Sequence, residues 1–177
     1  MRAEFGAEIS WLTFDLHPEY PPEGIPRGEL TKRYGDAFHD RLRGQFEQLG
    51  LAYNPPPGGV PNTRLALSLT ELARERGLGE RVHNRLMDAY WSEGRNIGDR
   101  DELRALAAEA GIEDPVVAWD DPVYLERVLA STAQAHSFGV TGVPGFLLDR
   151  RLLVLGAQPR ELFARAFEQL RDERSDA

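Results

Sequence analysis

The side chains that most often perform catalysis or bind metals are sparse in this sequence. The four histidines lie far apart, at His17, His39, His83 and His136. No pair has the i,i+4 spacing with which two imidazoles on one helix hold a metal ion, so no metal site is predicted. The chain contains no cysteine, which excludes disulfides, thiolate–metal sites and a thiol nucleophile from these residues. The adjacent carboxylates Asp120 and Asp121 stand where a helix should begin, and we interpret them as favourable charges at its N-terminus.

The stretch FGVTGVPGFLLD, residues 138–149, places a proline directly before an apolar segment. Proline cannot donate a hydrogen bond to a strand ladder, so its position at the start of a strand needs a reason. A cis Val143–Pro144 bond would turn the chain sharply and leave the Val143 backbone able to pair with an extended peptide. Only about 5–6% of X–Pro bonds in folded proteins are cis, so spacing alone favours an ordinary trans turn.

The elements that position this proline follow from apolar periodicity and turn residues. Residues 7–14 predict a strand buried on both faces. Residues 29–49 predict a helical region that Gly35 can divide. Helices are then predicted from Asn62 or Thr63 to Gly77, over 79–92, from Asp99 to Gly111, and from Pro122 to about Phe138. A hairpin around Asp149 and Arg150 and a last helix from Pro159 complete the order, which indicates an α/β class with a large helical insertion.

Composition and charge exclude several function classes. The 177 residues are 41% hydrophobic and 28% charged, which is typical of a folded globular protein. The net charge of −8 and the lack of a basic stripe argue against nucleic-acid binding. No apolar run is long enough to span a membrane, and no secretory signal pattern is found at the start. We therefore expect a cytoplasmic protein with no membrane and no nucleic-acid partner.

Several stretches, taken in order, resemble one known family. TGVPGFLLDRRLLVLGAQPRELFARAFEQL, AYWSEGRNIGDRDELRALAAEAG, ISWLTFDLHPE and NTRLALSL together resemble DsbA-family thioredoxin-like oxidoreductases, especially their FrnE-like branch. The resemblance implies a thioredoxin-like sheet with inserted helices and a cis-proline beside a Cys-x-x-Cys. It places Gly142, Val143 and Pro144 in the loop that faces the substrate.

The sequence departs from that family at its chemistry, because the Cys-x-x-Cys and the first strand have no counterpart here. Since Met1 would fall inside the family's first helix, we favour a start placed too late over a genuinely shortened or redox-inactive relative. The resulting prediction is an N-terminally truncated fold: a partial thioredoxin-like half at 1–60, a helical insertion at 61–138 and a C-terminal half at 139–177.

Four functions stay open on the sequence. The first is a FrnE-like thiol–disulfide oxidoreductase that is inactive as the chain stands and complete only with upstream residues. The second is a non-enzymatic module that binds a protein or peptide at Val143. The third is a relative of kappa-type transferases and isomerases that binds glutathione, with Asn62 as a contact, although helix capping is the simpler role for Asn62. The fourth is a helical scaffold without a parallel strand pair. No cofactor is expected, and a homodimer that covers an exposed sheet edge is expected over a monomer.

Overall fold

The computed structural model describes residues 2–35 and 37–175 and shows, within them, nine helices and one two-stranded sheet. The helices are α1 (Arg2–Phe5), α2 (Gly28–Tyr34), α3 (Phe38–Gln48), α4 (Arg64–Glu75), α5 (Gly79–Trp91), α6 (Arg100–Glu109), α7 (Val117–Asp120), α8 (Pro122–Ser137) and α9 (Arg160–Ser175). The strands are β1 (Gly145–Leu148) and β2 (Leu152–Leu155). None of the described helices combines the length and the apolar character needed to cross a bilayer.

The chain divides into two compact units. The helical unit runs from Thr13 to Ala130, and the hairpin unit comprises the residues up to Leu12 together with the chain from Ser131 onward. The division falls within α8. The three-part division predicted from the sequence, with boundaries after 60 and 138, rests on a family resemblance rather than on compactness and stays a prediction.

The core of the helical unit is built from α4, α5, α6 and α7. Leu69, Leu72, Val82, Leu103 and Leu106 are each at most 1% exposed, because the apolar stripes of these helices face one another. Burying each such side chain contributes about 1.5–3 kcal/mol to folding.

Trp119 extends this core at α7. Its side chain is half-buried against the core, and its indole Nε1 donates a hydrogen bond to the carbonyl of Leu65 at 3.1 Å. The Arg100 guanidinium lies 5.5 Å from the ring centroid. The indole therefore buries its apolar surface while its one polar atom stays paired.

A buried carboxylate on α4 is fully engaged. Glu71 is 5% exposed, and its Oε1 accepts a hydrogen bond from the Thr13 hydroxyl at 2.6 Å. The Arg74 guanidinium donates to both carboxylate oxygens, each at 2.9 Å. A charge this deeply buried is tolerated because it is paired with an arginine and both of its oxygens accept hydrogen bonds.

The predicted hairpin is confirmed in the hairpin unit. β1 and β2 pair antiparallel, with Phe146 opposite Val154 and Leu148 opposite Leu152. The chain reverses through Asp149 (φ 49°) and Arg150 (φ 57°), and the Arg151 N–H donates to the Leu148 carbonyl at 3.0 Å. Both φ angles are positive, as in the turns whose twist matches that of paired strands.

One face of the hairpin packs on α9. The Phe146 ring meets the Phe163 ring edge-on at a centroid distance of 5.0 Å, and Val154 beside it is buried. Further along α9, the Phe167 ring stacks on the Phe5 ring at 4.7 Å. These aromatic contacts give α9 its buried face and hold the hairpin on it.

The strand predicted at residues 7–14 is wrong. The structure assigns no strand there, and Trp11 and Leu12 are 42% and 60% exposed. An extended segment becomes a strand only by hydrogen-bonding to a neighbouring strand, and no described residue forms a ladder along 7–14. An apolar pattern carries no information on the presence of a partner strand, so it could not show that this segment lacks one.

Candidate functional site

The loop that joins α8 to β1 contains three of the predicted site residues, Gly142, Val143 and Pro144. Its first end is fixed to the end of α8. The Val140 N–H donates to the Ala135 carbonyl at 3.0 Å, and His136 Nδ1 donates to the Val140 carbonyl at 3.0 Å. Gly139 lies between them at φ 88°, a conformation that favours glycine and ends the helix.

The second end of the loop is fixed to the hairpin. The Gly156 N–H donates to the Pro144 carbonyl at 2.8 Å, and Gly156 itself has φ 77°. Gly145 gives room for the Val140 side chain, since a Cβ at Gly145 would lie 3.1 Å from Val140 Cγ1. The Val143–Pro144 peptide bond is cis. The loop is therefore held at both ends.

The middle of the loop is open. Val143 is 57% exposed, and Gly142 is half-buried. Within the described part of the chain, no hydrogen bond uses the backbone of Gly142 or Val143. The Val143 N–H and C=O are thus available to a ligand.

The hairpin register extends this unpaired backbone into β1. Because Gly156 donates to Pro144, the residues of β1 whose N–H and C=O face β2 are Phe146 and Leu148. The backbones of Gly145 and Leu147 face the opposite edge. Among residues 2–35 and 37–175, no strand pairs with that edge. Val143, Gly145 and Leu147 therefore form one continuous row of unpaired backbone groups, which we call the β1 edge.

Asn62, the remaining predicted site residue, lies in the helical unit at the start of α4. Its side-chain Nδ2 donates to the Tyr20 carbonyl at 2.8 Å, and its Oδ1 accepts from the Arg64 N–H at 3.0 Å. Both ends of the amide are used within the protein. These contacts suit the capping role, and a glutathione contact at Asn62 stays a prediction.

Sequence reasoning missed two residues that shape the loop. Gly156 supplies the hydrogen bond to Pro144, and Val140 packs over Gly145. The glycine of GAQP was visible as a turn, but its partner depends on the hairpin register, which spacing does not fix. Val140 reads as an ordinary apolar residue, and only the folded loop shows its contact.

Comparison with known proteins gives consistent findings. A family model described as "DSBA-like thioredoxin domain" matches residues 1–168. "Uncharacterized protein YwbO" from Bacillus subtilis (strain 168) is 28% identical over 163 residues, which is 90% of this chain and 80% of that protein. The crystal structure of the probable DsbA oxidoreductase SCO1869 from Streptomyces coelicolor is similar with a TM-score of 0.81 and 32% identity, over 93% of this chain and 75% of that one.

Proposed function

Since the chain belongs to the DSBA-like thioredoxin domain family, we propose that it binds an extended protein or peptide segment along the β1 edge without carrying out thiol–disulfide exchange itself. The similar structure is that of a probable DsbA oxidoreductase. As part of the same proposal, we place the chain in the FrnE-like branch of the family and in the cytoplasm.

The row of unpaired backbone at Val143, Gly145 and Leu147 carries this proposal. An extended peptide that lies beside a sheet edge gains main-chain hydrogen bonds whatever its side chains are, as in strand addition. The edge is short. Its first residue, Val143, is held in place because the next residue, Pro144, accepts a hydrogen bond from the Gly156 N–H. Binding therefore requires little ordering of this segment, which lowers its entropic cost.

We expect no thiol–disulfide exchange because of the amino-acid composition of the chain. Breaking a disulfide by exchange requires attack by a thiolate on one of its sulfurs. None of the 177 residues is a cysteine, so these residues supply no thiolate. We therefore expect the purified chain to show no turnover in an insulin-reduction assay with dithiothreitol beyond the rate of dithiothreitol alone. Turnover above that rate would contradict this half of the proposal.

Backbone amide shifts in ¹⁵N NMR test the binding half. A soluble peptide that alternates valine and threonine, with a lysine at each end, should shift the amides of Val143, Gly145 and Leu147 saturably. The amides of Phe146 and Leu148, which face β2, should shift far less. The same peptide N-methylated on the residues that face the edge loses its donors, and we expect its affinity to fall by about tenfold or more.

A pair of variants separates backbone pairing from side-chain contact. Leu147→Pro removes an N–H that has no partner in the hairpin, and proline is accepted at such edge positions. Leu147→Ala removes the side chain and keeps the N–H. We expect Leu147→Pro to weaken peptide binding more than Leu147→Ala does, with the Phe146 and Val154 amides reporting an intact hairpin in both. Equal binding of the N-methylated and the unmodified peptide would refute pairing at this edge.

A further inference from the structure

The two faces of the hairpin beside the β1 edge carry different side chains. Phe146 points toward α9, where its ring meets Phe163. Side chains alternate along a strand, so Gly145 and Leu147 point toward the opposite face. Leu155 lies directly opposite Gly145 in the register and points the same way. We call the face formed by Gly145, Leu147 and Leu155 the Gly145 face.

Val140, in the loop before β1, occupies the place that a side chain on Gly145 would take. A Cβ at Gly145 would lie 3.1 Å from Val140 Cγ1 and 3.5 Å from Val140 Cγ2. Val140 is half-buried, and Gly145 is exposed. A strand added at the β1 edge would therefore meet the Val140 methyl groups where a neighbouring strand normally presents a side chain of its own.

The backbone of Val140 is fixed by two hydrogen bonds. Its N–H donates to the Ala135 carbonyl, and its carbonyl accepts from His136 Nδ1, each at 3.0 Å. The side chain is β-branched, so it has few accessible rotamers. Val140 thus presents a preformed aliphatic surface on the Gly145 face.

The surroundings of this surface are free of charge. Residues 137–148 include no Asp, Glu, Lys, Arg or His. A charged side chain placed beside Gly145 would lose hydration without gaining a charged partner from this stretch. An aliphatic side chain in the same place would bury apolar surface against Val140, which is favourable.

We propose that the peptide bound at the β1 edge presents an uncharged aliphatic side chain opposite Gly145, and that Val140 sets this preference. The inference rests on the proposed function and adds the side-chain class that the backbone pairing leaves open. It applies to an antiparallel partner, whose residue that exchanges hydrogen bonds with Gly145 has its side chain on the Gly145 face. Directly opposite Cβ atoms lie about 4.5–5.5 Å apart in such a pair, so a leucine there reaches the Val140 methyl groups.

Peptides N-methylated on alternate residues fix which of their residues face the edge. Methylated residues cannot donate to it, so the unmethylated ones pair with Gly145. The unmethylated positions are all leucine in one peptide and all asparagine in the other, which have similar shapes and differ in polarity. Threonine fills the methylated positions, and a lysine stands at each end. In titrations of the full chain followed by ¹⁵N NMR, we expect the leucine peptide to bind about threefold tighter or more.

Two variants test the part played by Val140. Val140→Ala shortens the side chain, and Val140→Thr keeps its shape and makes it polar, while both retain the backbone hydrogen bonds. We expect the ratio of leucine-peptide to asparagine-peptide affinity to fall by about two- to fivefold in each variant. Unchanged amide shifts of Phe146 and Leu148 in the free variants would report an intact hairpin.

The outcomes separate this inference from the proposed function. If neither peptide shifts the amides of Val143, Gly145 and Leu147, both are refuted. If both peptides bind the wild-type chain equally, or if the affinity ratio is the same in the wild-type chain and in Val140→Thr, the peptide site stands and the preference set by Val140 is refuted. A partner that pairs parallel would give this second result, because its edge-facing residues have their side chains on the α9 face.

Discussion

The amide of Asn62 makes two hydrogen bonds that tie the start of α4 to the loop at Tyr20. We expect Asn62→Ala to lower the free energy of unfolding by about 1–2 kcal/mol, since two partly buried hydrogen bonds at the start of α4 are lost. Asn96→Ala is a control in which one exposed bond, from the Gly98 N–H at 3.0 Å, is lost. Urea unfolding measures both variants.

If Asn62 contacts glutathione, calorimetry would show heat that Asn62→Ala removes, and the capping role alone predicts no such heat.

Burial decides what an ion pair contributes, and two arginines allow a matched comparison. Arg74–Glu71 and Arg104–Asp101 are both i,i+3 pairs, but the Glu71 side chain is 6% exposed and that of Asp101 is 88% exposed. We expect Arg74→Met to cost about 1–3 kcal/mol, because it leaves a buried carboxylate short of partners. Arg104→Met should cost about 0–0.5 kcal/mol, because water screens its pair. Equal shifts in the urea midpoint would show that Glu71 does not depend on Arg74.

At the scale of elements, a cluster of ion pairs links α5 to α6. Arg85 on α5 pairs with Glu109 on α6 at 2.5 Å and with Glu93 at 2.7 Å. Arg95 pairs with Glu102 at 2.6 Å and with Glu109 at 3.0 Å. Two arginines thus share three carboxylates at the junction between the helices.

This cluster predicts an acid dependence of stability. Hydrogen bonds from Arg85 and Arg95 lower the pKa of Glu109 below its ordinary value of 4.5, and Arg85 does the same for Glu93. A lowered folded-state pKa stabilises the fold above the unfolded-state value, and this stability is lost as the pH falls below it. We expect Arg85→Gln to flatten the fall in the urea midpoint between about pH 5 and pH 3. An unchanged slope in that variant would contradict the role given to Arg85.

Sequence patterns anticipated most elements of this fold. The break at Gly35 is confirmed by the separate helices α2 and α3, and Asp99 caps α6 by accepting hydrogen bonds from the Asp101 and Glu102 N–H groups. Such features are local, so spacing and cap residues suffice to predict them. The prediction of a strand at 7–14 was wrong because a strand forms only beside a partner strand, which can lie far away in the sequence. The short helix α7 lacked a periodic signal, since four residues make barely one turn.

The site shows the same limit. Val143 and Pro144 were identified through the family resemblance, but which backbone groups of β1 are unpaired depends on the register with β2. A fold with no parallel strand pair was expected to favour the helical scaffold. The described strands are antiparallel only, yet the family match over residues 1–168 shows the DsbA-like thioredoxin fold. That criterion was therefore a poor discriminator for a chain with so few strands.

At the scale of the whole molecule, the two units differ in how much apolar surface they bury. The helical unit contains a cluster of fifteen buried apolar residues, whereas β1 and β2 form a two-stranded sheet of four residues each. A sheet this small depends on packing against a helix for its stability, and here α9 supplies that packing. We expect hydrogen exchange followed by mass spectrometry to find the amides of α4 and α6 exchanging most slowly and those of β1 and β2 much faster. Hairpin amides as slow as that of Leu103 would contradict this.

Self-association stays a prediction that belongs to this scale. The unpaired β1 edge can pair with a second copy of itself as well as with a peptide, and the net charge of −8 opposes such association. Sedimentation at low and at high salt distinguishes edge pairing from charge repulsion. Salt screens the repulsion between the negatively charged copies, so a dimer that forms through the β1 edge should be more populated at high salt.

The three tryptophans give each unit its own optical reporter. Trp11 belongs to the hairpin unit and is 42% exposed, whereas Trp119 lies against the helical core with its indole N–H paired to Leu65. An indole in water emits at longer wavelength than one in an apolar setting. A variant that keeps only Trp11, with phenylalanine at the other two tryptophan positions, would therefore report the unfolding of the hairpin unit through its emission wavelength. A variant that keeps only Trp119 would report the unfolding of the helical unit in the same way.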